Sequence, residues 1–377
     1  MPERIDWPRP KTDSKKLHIG VAGRVPELAP RAAYVQSEVE GPMRTYRAVM
    51  LTRKGGPEVL RVVELPLEPP GAGELRIRVS AAGVGATDVT MLNGSYPFAP
   101  KIPFVPGYEA VGVVDAIGAG VTGFALGQRV AALTVYGGFA EFLTRGAEHF
   151  LPVPDGVQNH DAAAVILNFA TAWQMIYRVA KVREGQTAMV TGASGGVGIA
   201  VLQLLRLAGV KAYGAASASK HELVRSLGAM PIDYKQGRLD ALMRCAEPGG
   251  VDCVFDAVGG SNIGACIGAL RTGGIVVGFG FMGAAGVFAK IAMFTNLFVG
   301  ARLRGRRGDF YGISALYRKD PKPFREDIPK IFELLRNKKI DPVIKYTFPL
   351  LEARGAIELL MSGSATGKIV LTDGTER

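Results

Sequence analysis

Between residues 45 and 151 apolar and polar positions alternate with a period of two. Leu75, Ile77 and Val79 interleave with Arg76 and Arg78, so an extended chain there has one apolar and one charged face. Shorter apolar runs follow at 111–114, 129–133 and 138–143, and Pro69-Pro70-Gly71 and Pro106-Gly107 punctuate the stretch. This predicts a compact, mostly antiparallel β domain. From about Asn168 strands alternate with helices. Residues 187–191 read as a strand, and Val201, Leu204, Leu205 and Ala208 share one face of a helix that Gly209 ends. Strand-like runs recur at 210–215, 231–234, 251–256, 274–280 and, weakly, 301–305. Six parallel strands with covering helices make a doubly wound α/β sheet. Ile328, Ile331, Phe332 and Leu335 then fall at i, i+3, i+4 and i+7 of a helix, a second helix lies near 351–361, and residues 368–372 form a terminal strand. That strand has no obvious place in the parallel sheet. The tail is therefore expected to rejoin the β domain, with domains at 45–167, 168–305 and 306–377 after an arm at 1–44.

With 48% apolar and 21% charged residues, the 377-residue chain can bury substantial cores, which excludes disorder as its main description. Its 49 glycines follow no three-residue period, so a collagen-like fibre is excluded as well. A formal net charge of +11 suits either a polyanionic partner or an anionic cofactor. Most of that charge falls in residues 301–345, where no recognised nucleic-acid module occurs, so a solvated face or help in holding an anionic ligand such as an acyl-CoA is favoured over nucleic acid. Three cysteines without a close pair make a disulfide framework unexpected and point to a reducing, cytoplasmic compartment. The uncharged stretch 272–289 carries six glycines and reads as a buried strand followed by a loop rather than a membrane span. Residues 1–42 have no sustained period, no apolar secretory core and too many acids for a transit peptide; they read as a loose arm or as sequence upstream of a start at Met43.

Chemistry concentrates at Val190-Thr191-Gly192-Ala193-Ser194-Gly195-Gly196-Val197-Gly198. A strand must turn sharply into a helix there. Missing side chains let backbone N–H groups of Gly195, Gly196, Val197 and Gly198 approach a pyrophosphate at the helix's positive end. A glycine-rich turn that only packs is the alternative. At the end of the next strand, where NAD-binding sheets offer a carboxylate to the ribose, the chain has Ser217, Ser219 and Lys220 and no acid. Hydroxyls and a lysine suit a 2′-phosphate, so NADPH is favoured over NADH. Alternatively, Ser219 caps a helix and Lys220 is solvated.

Gly107-Tyr108-Glu109, Gly138-Phe139-Ala140-Glu141, the 192–198 turn and the closing Thr366-Gly367-Lys368-Ile369-Val370-Leu371, in that order, resemble the medium-chain dehydrogenase/reductase superfamily over residues 45–371. The similarity is greatest to its zinc-free quinone oxidoreductase and enoyl reductase branch. This implies a GroES-like β domain, a Rossmann domain and a coenzyme in the cleft between them. Zinc-dependent relatives place Cys just before a Thr-Asp pair and His in Gly-His-Glu. Those places hold Gly85 and Tyr108, and Glu109 alone does not make a metal site. Without a Lewis acid an alkoxide loses its usual stabilisation, so hydride transfer from NADPH to an electron-poor quinone is favoured, with a conjugated enone or enoyl-CoA as the alternative.

The same resemblance makes Tyr96 a proton donor, against a cleft-wall aromatic, and Asp88 a residue near the nicotinamide, against a helix N-terminal acid. It makes Thr171 a nicotinamide-side threonine and Tyr234 a neighbour of the adenosine phosphate, with Phe279 and Lys368 as weaker cofactor candidates. It also implies a homodimer through edge pairing of the nucleotide-binding sheet. His18, His149, His160 and His221 share no spacing and read as surface or loop residues, and no hydrolase elbow occurs.

Overall fold

The computed structural model describes residues 44–281, 283–284 and 286–375. The expected arm, the start at Met43 and His18 lie outside the described residues.

The alternating segment forms antiparallel strands. Glu74–Val84 pairs with Glu109–Ile117 and with Phe142–Gly146; Glu109–Ile117 pairs with Arg129–Leu133, which pairs with Phe150–Pro152. Leu75, Ile77 and Val79 point into the core at 1% exposure or less. Arg76, on the opposite face, is also covered, because Asp115 accepts from its Nε at 2.7 Å and the Glu68 carbonyl from its Nη1 at 3.0 Å. A separate hairpin joins Thr45–Leu51 to Leu60–Pro66. In the tail, Lys368–Thr372 lies antiparallel to Glu74–Val84 and parallel to Ile344–Pro349. The helix Lys322–Arg336 buries Ile328, Ile331, Phe332 and Leu335.

The second sheet has six parallel strands in the order Met230–Asp233, Lys211–Ala216, Thr187–Thr191, Val251–Asp256, Leu270–Gly278, Arg307–Phe310. This is the doubly wound order, whose direction reverses between Thr187–Thr191 and Val251–Asp256, and ligands sit outside the carboxyl ends at such a point. The sixth strand corrects the reading at 301–305. Ala301–Leu303 is helical, and the strand is the polar Arg307–Phe310, which among the described residues has a partner on one side only and so lacks the apolar run of a buried strand. Leu270–Gly278 is the expected strand at the head of the uncharged stretch, but Gly286 already opens a helix. From Gly286 to Leu303 that helical segment is long and apolar enough to cross a membrane by length and composition, and Phe288 is 88% exposed. Cys253 and Cys266 are buried, Cys245 is exposed, and all three are free.

Candidate coenzyme cleft and active site

At the end of Thr187–Thr191 the chain turns through Gly192, at φ +60°, into the helix Gly196–Leu207. Packing against backbone demands one glycine there: a Cβ on Gly198 would lie 2.2 Å from the Gly192 carbonyl oxygen, whereas one on Gly196 would lie 2.3 Å from Nδ2 of the buried Asn168 side chain. Gly195 differs, since a Cβ there would meet nothing closer than the Gly192 oxygen at 3.4 Å. Packing leaves Gly195 room for a side chain, so its bare backbone fits the close approach of a ligand rather than of a neighbour. Val197 packs against the core behind the turn. The fully buried carboxylate of Asp256 locks the adjoining strand ends together, accepting from Thr191 Oγ1 at 2.6 Å, the Gly259 N–H at 2.7 Å and Asn262 Nδ2 at 2.7 Å.

Outside these strand ends lies a cavity of about 750 Å³ lined by Thr191, Gly192, Ser194, Ser217, Lys220, Tyr234, Arg238, Ser261 and Asn262 among others, with no acidic residue in its wall among the described residues. Ser217, Lys220 and Tyr234 are thus brought together. Tyr234 is 49% exposed and opens a short 3₁₀ turn after the strand has ended at Asp233, which does not suit a strand-end packing role. Lys220 is anchored rather than merely solvated: its Nζ donates to the carbonyls of Gly363 at 3.3 Å and Ala365 at 3.2 Å. Ser219 does not cap the following helix, and its Oγ sits 3.4 Å from that of Ser217 outside the cavity wall. Sequence reasoning missed Arg238, which lines the cavity while paired with Asp240 at 2.9 Å. The basic side chain four residues after Tyr234 was the available signal. Thr171 is buried in the helix Asn168–Trp173, and Phe279 follows Leu270–Gly278 with its N–H on the Asp256 carbonyl at 2.9 Å; neither lines this cavity.

A second cluster gathers Tyr96, Asp88, Tyr108, Glu109 and Lys368. Asp88 is the third residue of the helix Ala86–Leu92, and its carboxylate accepts from the Gly85 N–H at 2.9 Å and the Gly107 N–H at 3.3 Å, as a helix N-terminal acid does. Burial pushes its carboxyl up to about 7, against the pull of those amides and of Lys368. Lys368 does not face the cavity: its buried ammonium pairs with Glu109, whose other oxygen accepts from the Leu167 N–H at 2.6 Å. The preceding residue, Gly367, donates its N–H to the Ser194 carbonyl at 3.1 Å. One strand start therefore holds the glycine turn through its backbone and the acidic cluster through its side chain. Tyr96 reaches Tyr108, oxygen to oxygen, at 2.7 Å and also bonds Ser314 Oγ. Burial raises the pKa of both phenols, so both are neutral near pH 7. Among the described residues no group of three or more His, Cys, Asp or Glu side chains is placed to share a metal ion. His160 and His221 are half-buried helical residues rather than loop residues, and His149 bonds the Tyr317 hydroxyl at 2.8 Å.

The zinc-binding dehydrogenase family matches residues 227–371 and the alcohol dehydrogenase GroES-like domain matches residues 71–155. The synaptic vesicle membrane protein VAT-1 homolog-like of Mus musculus is 30% identical over 344 residues, covering 88% of this chain and 82% of that one. The quinone oxidoreductase of Rattus norvegicus is 28% identical over 331 residues, covering 86% and 97%. A mycobacterial protein solved in complex with NADPH superposes with a TM-score of 0.77 at 29% identity, covering 87% of this chain and 99% of that one.

Proposed function

Because this chain belongs to the medium-chain dehydrogenase/reductase family, in its zinc-free quinone oxidoreductase branch, we propose that it is an NADPH-dependent reductase of quinones. The observation that carries the reading is the acid-free wall of the 750 Å³ cavity, where Ser217, Lys220, Tyr234 and Arg238 meet at the carboxyl ends of the strands. Hydroxyls and cations there would hold a 2′-phosphate that a carboxylate would repel. The turn at Gly195 would take the pyrophosphate, and Thr171 is assigned to the nicotinamide side. When bound, the coenzyme supplies the hydride. What this chain adds is orientation and a proton: Tyr96, neutral at working pH, donates from its hydroxyl to the oxygen or carbon that gains negative charge. The places of a catalytic zinc's cysteine and histidine ligands hold Gly85 and Tyr108, and Glu109 is tied to Lys368, which supports a metal-independent reaction.

A neutral phenol also suits protonation of an enolate, and this favours reduction of enones or enoyl-CoAs as the second reading. On the same proposal the protein works in a reducing, cytoplasmic compartment, with its cysteines free, on a small molecule rather than a nucleic acid. It pairs with a second copy along the free edge of Arg307–Phe310.

Coenzyme fluorescence titration tests the central claim. NADPH is expected to bind at least tenfold more tightly than NADH, and Lys220→Glu is expected to remove that preference. Equal affinity for the two coenzymes, or no binding of either at micromolar concentration, would reject the reading. NADPH oxidation over quinones, short enones and enoyl-CoAs then ranks the acceptors.

A further inference from the structure

Two hydroxyls from separate parts of the chain meet on the hydroxyl oxygen of a third residue, Tyr96. Tyr96 lies in the loop after the helix Ala86–Leu92, and Tyr108 immediately precedes Glu109–Ile117. Ser314 belongs to the helix Ile313–Lys319 beyond the last strand of the parallel sheet, 218 residues from Tyr96. Tyr108 is 1% exposed and Ser314 2%, so neither hydroxyl has bulk water to turn to, whereas Tyr96 keeps a partly open side. A phenol oxygen carries one proton and two lone pairs. We propose that Tyr108 and Ser314 both donate to the Tyr96 oxygen, so that Tyr96's own proton is left for the acceptor and the phenolate it becomes is stabilised in place. Tyr108 and Ser314 are positioning residues, acting through Tyr96.

The step balances. After the acceptor has taken up a hydride, the Tyr96 O–H bond breaks and its proton joins the anionic oxygen or carbon of that acceptor. The electron pair stays on the Tyr96 oxygen, held by the two donated hydrogen bonds, until water on its open side returns a proton. Other groups facing Tyr96 act in opposite directions: the charge of Asp88 raises the phenol's pKa and that of Arg318 lowers it, while the bonds from Ser314 and Tyr108 both lower it against the larger effect of burial. The position that holds histidine in zinc-dependent relatives thus serves the proton donor here.

The catalytic meaning of this arrangement rests on the reductase reading, but the direction of the hydrogen bonds is testable without any acceptor. With 3,5-difluorotyrosine placed at position 96 of the full chain, fluorine NMR reads that phenol's titration directly. Tyr108→Phe and Ser314→Ala are each expected to raise its pKa by about one unit, the loss of one hydrogen bond to the charged form. An unchanged or lowered pKa in both variants would mean that neither hydroxyl donates to the Tyr96 oxygen, and would overturn the proposal. With unlabelled protein, NADPH and 1,2-naphthoquinone, Tyr108→Phe is expected to lower kcat about tenfold, but to add almost nothing in a Tyr96→Phe background. Equal losses in both backgrounds would also overturn it. NADPH binding without turnover of quinones, enones or enoyl-CoAs would count against the reductase reading alone, since the fluorine titration still decides the hydrogen-bond arrangement.

Discussion

Asp88 shows how strongly surroundings act on a single side chain. Its carboxyl is fully buried, and removal from water outweighs two amide hydrogen bonds and a nearby ammonium, so it titrates at about 7. In the unfolded chain the same group titrates near 4. Between those values the folded state binds more protons, so Asp88's contribution to stability is present at low pH and is lost as pH rises through 7, by at most about 1.4 kcal/mol per pH unit. Asp88→Asn should therefore lose less stability than the parent between pH 5.5 and 8, measured by urea unfolding at both. Parallel losses in the two proteins would show that Asp88 is ionised throughout. Asp88 itself was visible in the Ala86-Thr87-Asp88 motif. Its burial was not, because the groups around it, Gly107, Glu109 and Lys368, come from distant parts of the chain.

Among the elements, the three strands Lys368–Thr372, Glu74–Val84 and Glu109–Ile117 lie side by side, and this places Gly83 between the ends of Glu109 and Lys368. A Cβ at Gly83 would come within 2.0 Å of Glu109 Oε1 and 2.6 Å of Lys368 Cε. Both charged groups are buried, so neither can swing into water to make room. Gly83→Ala is expected to destabilise the protein by roughly 2 kcal/mol or more, seen as a lower urea midpoint with little change in slope. An unchanged midpoint would mean that the ion pair relaxes freely. Period-two alternation made Glu74–Val84 readable as a strand, and period 3.6 did the same for Lys322–Arg336. The strand Arg307–Phe310 escaped because an edge strand needs no continuous apolar run, while Ala301–Leu303 before it belongs to the end of a helix.

Taken whole, the chain closes on itself through its last strand. Lys368–Thr372 is inserted between Ile344–Pro349 and Glu74–Val84, its first residue, Lys368, neutralises Glu109, and the residue before it bonds the glycine turn of the parallel sheet. Removing everything from Lys368 onward would open the seven-stranded sheet in its interior and leave a buried carboxylate unpaired. The truncated chain is expected not to fold, read as loss of the cooperative thermal transition, whereas removal of residues 374–377 should leave the transition in place. A cooperative transition retained after the larger deletion would mean that the β domain does not depend on its return strand.

What could be read along the chain is what neighbouring residues enforce on one another: alternation in the β domain, the strand, turn and helix around Gly195, the missing acid near Lys220, and a basic, cysteine-poor composition. These follow from local geometry and charge, which act over a few residues. The folded molecule alone decided that Ser314 meets Tyr96, that Lys368 meets Glu109 rather than the cavity outside the parallel strand ends, that Arg238 joins that cavity's wall, and that Asp88 is sealed from water. Glu109 and Lys368 are 259 positions apart, and only the strand order of the seven-stranded sheet brings them into contact.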